Sequence, residues 1–153
     1  MISRRGRKKL SQGLSLIELM IALVVIAIIS SLAYPSYQNQ LADARRTDAQ
    51  AVLMEAAQYM ERFYTENNRY DQDTSGTAVA LPAQLTEAPR DAGTKFYDIA
   101  VQTASASSYR LRATSKNDQA GDGFLEITSS FAKAWDADNS GAIGAGEATW
   151  NKY

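Results

Sequence analysis

The sequence predicts an α+β fold, a long N-terminal α-helix packed on an antiparallel β-sheet. Three observations carry that expectation. A 21-residue apolar run spans residues 14–34, and apolar residues recur at helical spacing from there to about residue 67. Three later segments alternate apolar and polar residues with period two. A chain of 153 residues has room for one folded domain.

The elements follow in chain order. Residues 1–13 carry Arg4, Arg5, Arg7, Lys8 and Lys9 and no acid. From residue 14 to residue 34 the only charge is Glu18. As a helix, such a run reaches roughly 31 Å, which matches a hydrocarbon core of about 30 Å. A secretory signal has a shorter apolar region, about 7–15 residues, followed by its cleavage site. Here the expected cut lies before the apolar run, between Gly13 and Leu14, so the helix is retained. The basic cluster holds its side in the cytoplasm, and the C-terminal part faces the other side of the membrane. Glu18 is a carboxylate near one end of a membrane span, a position that calls for a partner and marks function.

The segment Gly13-Leu14-Ser15-Leu16-Ile17-Glu18, with the basic leader before it and the apolar helix after it, resembles the prepilin cleavage motif of type IV pilins and pseudopilins. Leu14 and Ser15 stand where Phe and Thr are common. The likeness continues through residues 19–29 and 33–37. Residues 46–70, with Gln50-Ala51-Val52-Leu53, Glu61-Arg62-Phe63-Tyr64 and Asn68-Arg69-Tyr70, look like the type IVa minor pilins of the PilE kind. The resemblance implies the type IV pilin fold. It also implies cleavage after Gly13 by a prepilin peptidase and N-methylation of Leu14. Glu18 then pairs with the terminal amine of a neighbouring subunit during assembly. The implied partners are other pilin subunits in a helical filament and an inner-membrane assembly platform. The implied location is the inner membrane, single-pass with the N-terminus cytoplasmic, and afterwards an extracellular or periplasm-spanning pilus.

The expected organisation is therefore a cleaved leader, 1–13; a membrane and filament-core helix half, 14–35; an amphipathic helix half, 36–67; and a connecting loop, sheet and C-terminal loop, 68–153. Pro35 lacks an N–H and tends to kink a helix. Beyond it Leu41, Ala44, Val52, Ala56, Met60 and Phe63 form a stripe, which Ala49, Leu53 and Tyr59 widen. Arg45, Arg46, Asp48, Gln50, Glu55, Glu61 and Arg62 are expected mostly on other sides. Tyr59, Phe63 and Tyr64 read as the seam between helix and sheet.

Residues 71–95 read as a loop, punctuated by Gly76, Pro82, Pro89 and Gly93, with a short strand or helical turn near 80–85. Tyr97, Ile99 and Val101 then alternate with polar or small residues, as do Tyr109, Leu111 and Ala113. Leu125 and Ile127 share one side of the run 123–128. The pattern predicts an antiparallel sheet with one covered face. Arg110 and Arg112 fall on its other, solvated face.

Residues 136–147 fit a twelve-residue EF-hand calcium loop. Asp136, Asp138 and Ser140 take positions one, three and five, and Gly141 takes the sharp turn. Ala142 offers its carbonyl at seven, Gly144 can position a water at nine, and Glu147 stands at the bidentate twelfth position. Only six residues follow Glu147 and no second loop exists, so the expected calcium is structural. Many pilins fasten this region with a disulfide and some pseudopilins with calcium. The chain has no cysteine, so the ion is expected to replace the staple, with Trp135 and Trp150 bracketing the loop.

Composition narrows the function. Without its five leader cations the chain has 11 basic and 17 acidic residues, net −6. Nucleic-acid binding, which needs clustered positive charge, is not expected. There is no histidine, the commonest general base, and no carboxylate pairs with a recognisable nucleophile, so no enzymatic activity is expected. The leading reading is a structural minor pilin of a type IV pilus, with a part in assembly, adhesion or twitching motility. A type II secretion pseudopilin and then a major pilin follow. A DNA-binding competence pilin is the reading of another class, with only Arg110, Arg112 and Lys116 to form a basic stripe.

Overall fold

A computed structural model describes residues 15–91 and 93–150; Gly13 and Leu14 lie outside the described residues. Among the described residues one α-helix, α1 (Leu16–Asn67), is followed by five strands. They are β1 (Glu87–Ala88), β2 (Tyr97–Ala104), β3 (Tyr109–Ser115), β4 (Phe124–Thr128) and β5 (Lys133–Trp135). All neighbours are antiparallel, in the order β1-β2-β3-β4-β5. The chain divides into two compact units, Met1–Asn39 and Gln40–Tyr153.

In the first unit, every described residue of α1 is exposed, including Leu16, Ile17, Leu23, Ile26 and Ile29. This part of the helix is long and apolar enough to cross a membrane. The helix runs through Pro35, which leaves the carbonyl four residues earlier, that of Ser31, without its helical donor.

The second unit contains the core. Ala49, Val52, Leu53, Ala56, Ala57 and Met60 are buried along one face of α1. They meet Tyr97, Ile99, Tyr109, Leu111, Ala113, Leu125 and Ile127 from the sheet. Each fully buried Leu or Ile stabilises the fold by about 1.5–3 kcal/mol. The three helix alanines leave room for larger sheet side chains. The helix stops where Asn68 takes a left-handed φ of 59° and its N–H returns to the Tyr64 carbonyl at 2.7 Å.

Two expectations for the helix stripe are corrected. Ala44 is exposed, and Arg46, expected outside, is buried. At this height α1 faces the polar β3–β4 connection rather than apolar strands. Arg46 donates to both carboxylate oxygens of Asp122, through Nε at 2.8 Å and through a second nitrogen. It also pairs with Asp43 at 2.7 Å, and its guanidinium lies 3.7 Å from the Trp135 ring centroid. The Tyr97 hydroxyl donates to the same Asp122 carboxylate. Burial pulls the guanidinium pKa down, but the hydrogen bonds it donates to Asp122 and Asp43 outweigh that and hold it above its ordinary value.

The short turn expected near 80–85 is a 3-10 turn at Ala83–Leu85, and β1 follows it. The alternation of β2 breaks at a bulge between Val101 and Thr103. The sheet does not keep a single covered face. In β4, Phe124, Leu125, Glu126 and Ile127 are all buried. Leu125 and Ile127 join the core, whereas the Phe124 ring lies under the Arg112 guanidinium at 3.7 Å. β5 escaped the sequence pattern because three residues are too few to show alternation.

Candidate functional site

Glu18 sits in the first turn of α1, exposed, with no cation in ion-pair range among the described residues. A carboxylate there is favoured by the positive end of the helix dipole.

The C-terminal loop begins directly after β5. Asp136 is fully buried. Its Oδ1 accepts from the Ser140 amide at 2.9 Å and its Oδ2 from the Gly141 amide at 3.0 Å. Gly141 adopts a φ of +86°, which gives the sharp turn. Asp138 Oδ1 also accepts from the Ser140 amide, at 3.0 Å. Hydrogen bonding from Ser140 holds the Asp138 carboxyl below the ordinary carboxylate range.

Glu147 reaches back over the loop. Its Oε1 accepts from the Ala137 amide at 2.8 Å and its Oε2 from the Gly144 amide at 2.6 Å. One carboxylate oxygen from each of Asp136, Asp138 and Glu147 lies within 4.8 Å of the others. The Ser140 hydroxyl donates to the Ala142 carbonyl at 3.0 Å, which places both beside this cluster. Gly144 is tied in through its amide. The donors are all hard oxygens, as calcium prefers, and they fit that ion.

The flanks differ from an EF-hand. A strand leads in, and the Trp135 amide donates to the Glu147 carbonyl at 2.9 Å, which closes the loop onto β5. Both tryptophans are buried. Trp135 Nε1 donates to the Asp122 carbonyl at 2.8 Å, and Trp150 Nε1 to that of Glu126 at 3.0 Å.

The outer sheet face is not a free basic stripe. Glu126, opposite Arg112 in the β3–β4 register, accepts from Arg112 Nε at 2.9 Å and from a second nitrogen at 2.7 Å. Arg110 approaches the same carboxylate at 3.8 Å. Lys116 lies between Glu87 at 2.5 Å and Asp98 at 2.6 Å. The two acids outweigh desolvation and raise the Lys116 pKa. Sequence reasoning missed Glu126, because its role appears only once the strand register is known.

Residues 35–124 match the family model described as "Type IV minor pilin ComP, DNA uptake sequence receptor". Residues 8–34 match "Prokaryotic N-terminal methylation motif", a segment that includes Gly13, Leu14 and Glu18. The chain belongs to the type IV pilin family.

Within the family it is 29% identical to the type IV wide pilus major component PilA4 of Thermus thermophilus, over 67% of this chain and 72% of that one. It is 27% identical to the type IV major fimbrial protein FimA of Dichelobacter nodosus, over 72% and 69%. With the type IV major pilin protein PilE1 of Neisseria gonorrhoeae it shares 27% identity over 48% of this chain and 44% of the relative. The solved structure of the Neisseria meningitidis non-core minor pilin PilV shares the fold. Its TM-score is 0.51 at 16% identity, over 69% of this chain and 96% of PilV.

Proposed function

We propose that the chain is a structural subunit of a type IV pilus, of the minor class, whose folded unit is fastened by calcium. The match of residues 35–124 to a minor-pilin model carries the assignment. The likeness of fold to PilV is compatible with it. A prepilin peptidase cuts after Gly13 and Leu14 becomes the N-methylated terminus. The subunit waits in the inner membrane and the assembly platform then lifts it into the filament. In the low-dielectric filament core, Glu18 meets the terminal amine of a neighbour, where the attraction far exceeds its value in water. A misplaced subunit leaves that carboxylate uncompensated, so Glu18 sets register more than it adds stability.

Quantitative mass spectrometry of sheared filaments tests the assignment. The expected result is a methylated Leu14 terminus and a copy number far below that of a second pilin. A mature chain that still begins at Met1 refutes the pilus reading; a dominant copy number refutes the minor rank. Glu18→Ala is expected to leave membrane insertion intact and to impair incorporation.

Calcium is assigned to Asp136, Asp138, Ser140, Ala142 and Glu147, with Gly144 positioning a water. The ion would cross-link the two ends of the loop and neutralise three carboxylates that otherwise repel. A second reading, a DNA-receptor pilin, is favoured by the description of the matching family. The pairing of Arg112 with Glu126 and of Lys116 with Glu87 and Asp98 weighs against it. A gel shift with double-stranded DNA at low and physiological salt separates the two readings.

A further inference from the structure

A cleft of about 470 Å³ opens on the outer sheet face, where β3, β4 and β5 meet the C-terminal loop. Small-molecule sites span about 300–1,000 Å³. Arg110, Arg112 and Lys133 line this cleft, and Glu126 is its one carboxylate. Arg112 is engaged with Glu126, but Arg110 stays half-exposed. Lys133 is exposed and rests 4.6 Å from the Trp150 ring, with no carboxylate in ion-pair range among the described residues. Two positive charges are therefore in excess here, in a chain that carries net −6 without its leader.

Glu126 adds an acceptor. Its side chain is only 8% exposed, and both hydrogen bonds from Arg112 end on Oε1. Oε2 accepts none among the described residues, since Arg110 Nε stops 3.8 Å away. A carboxylate oxygen so deeply placed calls for a donor. Exposed Ala142 and Ile143 form an apolar wall beside these groups. An occupant that satisfies the cleft brings an anion, a hydrogen-bond donor and a C–H surface within one small volume.

We propose that this cleft binds an acidic saccharide. A ring carboxylate meets the Arg110 and Lys133 cations, a ring hydroxyl donates to Glu126 Oε2, and the C–H face of the ring lies on Ala142 and Ile143. The phosphodiester backbone of DNA carries the charge but no donor, so Glu126 repels it. DNA affinity also grows with the number of phosphates neutralised, and two free cations neutralise few. An extended peptide brings donors along its main chain and gains affinity by pairing with a strand edge. Here that edge is β5, three residues long, with its Trp135 amide already bound to the Glu147 carbonyl. The inference goes beyond the pilus reading and does not depend on the rank of the subunit.

Isothermal titration of the detergent-solubilised full chain with trigalacturonic acid at low salt tests this. The expected result is one site per chain. The methyl ester of the same trimer keeps the shape and loses the charge, and is expected to bind at least about tenfold more weakly. Arg110→Gln with Lys133→Gln is expected to weaken binding of the acid by about tenfold or more at unchanged Tm. Ala132→Trp, which fills the cleft and leaves its charges in place, is expected to abolish binding. Should the double variant lose Tm, Ala132→Trp decides alone. No binding at millimolar trimer overturns the proposal, as does equal affinity for the ester. Unchanged affinity in Ala132→Trp puts the sugar elsewhere and overturns the site. Equal or tighter binding of tri-aspartate or of a short DNA duplex also overturns it, because the cleft then answers to charge alone. None of these results bears on the pilus reading, which mass spectrometry of filaments tests separately.

Discussion

Removing the Asp122 carboxylate is the sharpest stability test of the fold. Only 12% of the Asp122 side chain and 9% of the Arg46 side chain reach solvent. Asp122→Ala leaves the Arg46 guanidinium with Asp43, whose side chain is 65% exposed, and deprives the Tyr97 hydroxyl of its acceptor. Breaking a buried pair from one side costs about 3–5 kcal/mol. Asp43→Ala removes an exposed partner and costs under about 1 kcal/mol. For a domain of this size each kcal/mol moves Tm by roughly 4 °C. Thermal melts of the detergent-solubilised chain should therefore fall by roughly 12–20 °C for Asp122→Ala and by a few degrees for Asp43→Ala. Arg46→Met with Asp122→Leu should recover much of the loss, since apolar replacements often equal a buried pair. Equal shifts for the two aspartate variants would refute the reasoning, because burial would then not govern the interaction.

Three further outcomes are expected. Gly123→Ala should lose more than about 4 kcal/mol or fail to accumulate, because its Cβ would stand 1.8 Å from the Asp136 carbonyl oxygen at a φ of +67°; Tm and yield check this. Burial, then the hydrogen bond to Glu61, pushes the Tyr70 phenol up to about 12. A folded-state pKa raised above the unfolded value near 10 gives stability that is complete below pH 10 and lost as pH climbs toward 12. Tyr70→Phe should flatten this part of a pH–Tm profile. EDTA should lower Tm and added calcium restore it, and Glu147→Gln should abolish the difference; no shift at millimolar calcium would remove the metal.

The sequence revealed what is written locally. The apolar run, the helical spacing of Val52, Ala56 and Met60, and the alternation around Leu111 all follow from one element's own periodicity. The spacing of Asp136, Asp138, Ser140 and Glu147 was equally local, and the structure brings their oxygens together. What stayed hidden depends on distant partners. Arg46 looks like a surface residue until Asp122 and Trp135, far along the chain, are set beside it. Arg110 and Arg112 look unopposed until the β3–β4 register supplies Glu126. Strands of two and three residues leave no periodic trace at all.

The brevity of β1 and β5 also governs how such subunits behave when crowded. A long bare strand invites the backbone of any neighbour to pair with it. Here one terminal strand has two residues and the other has three, with its Trp135 amide already bound to the Glu147 carbonyl. A stockpile of molecules therefore has little main chain through which to fuse into amyloid-like stacks. Polymerisation is left to side chains, which recognise one geometry and reject others.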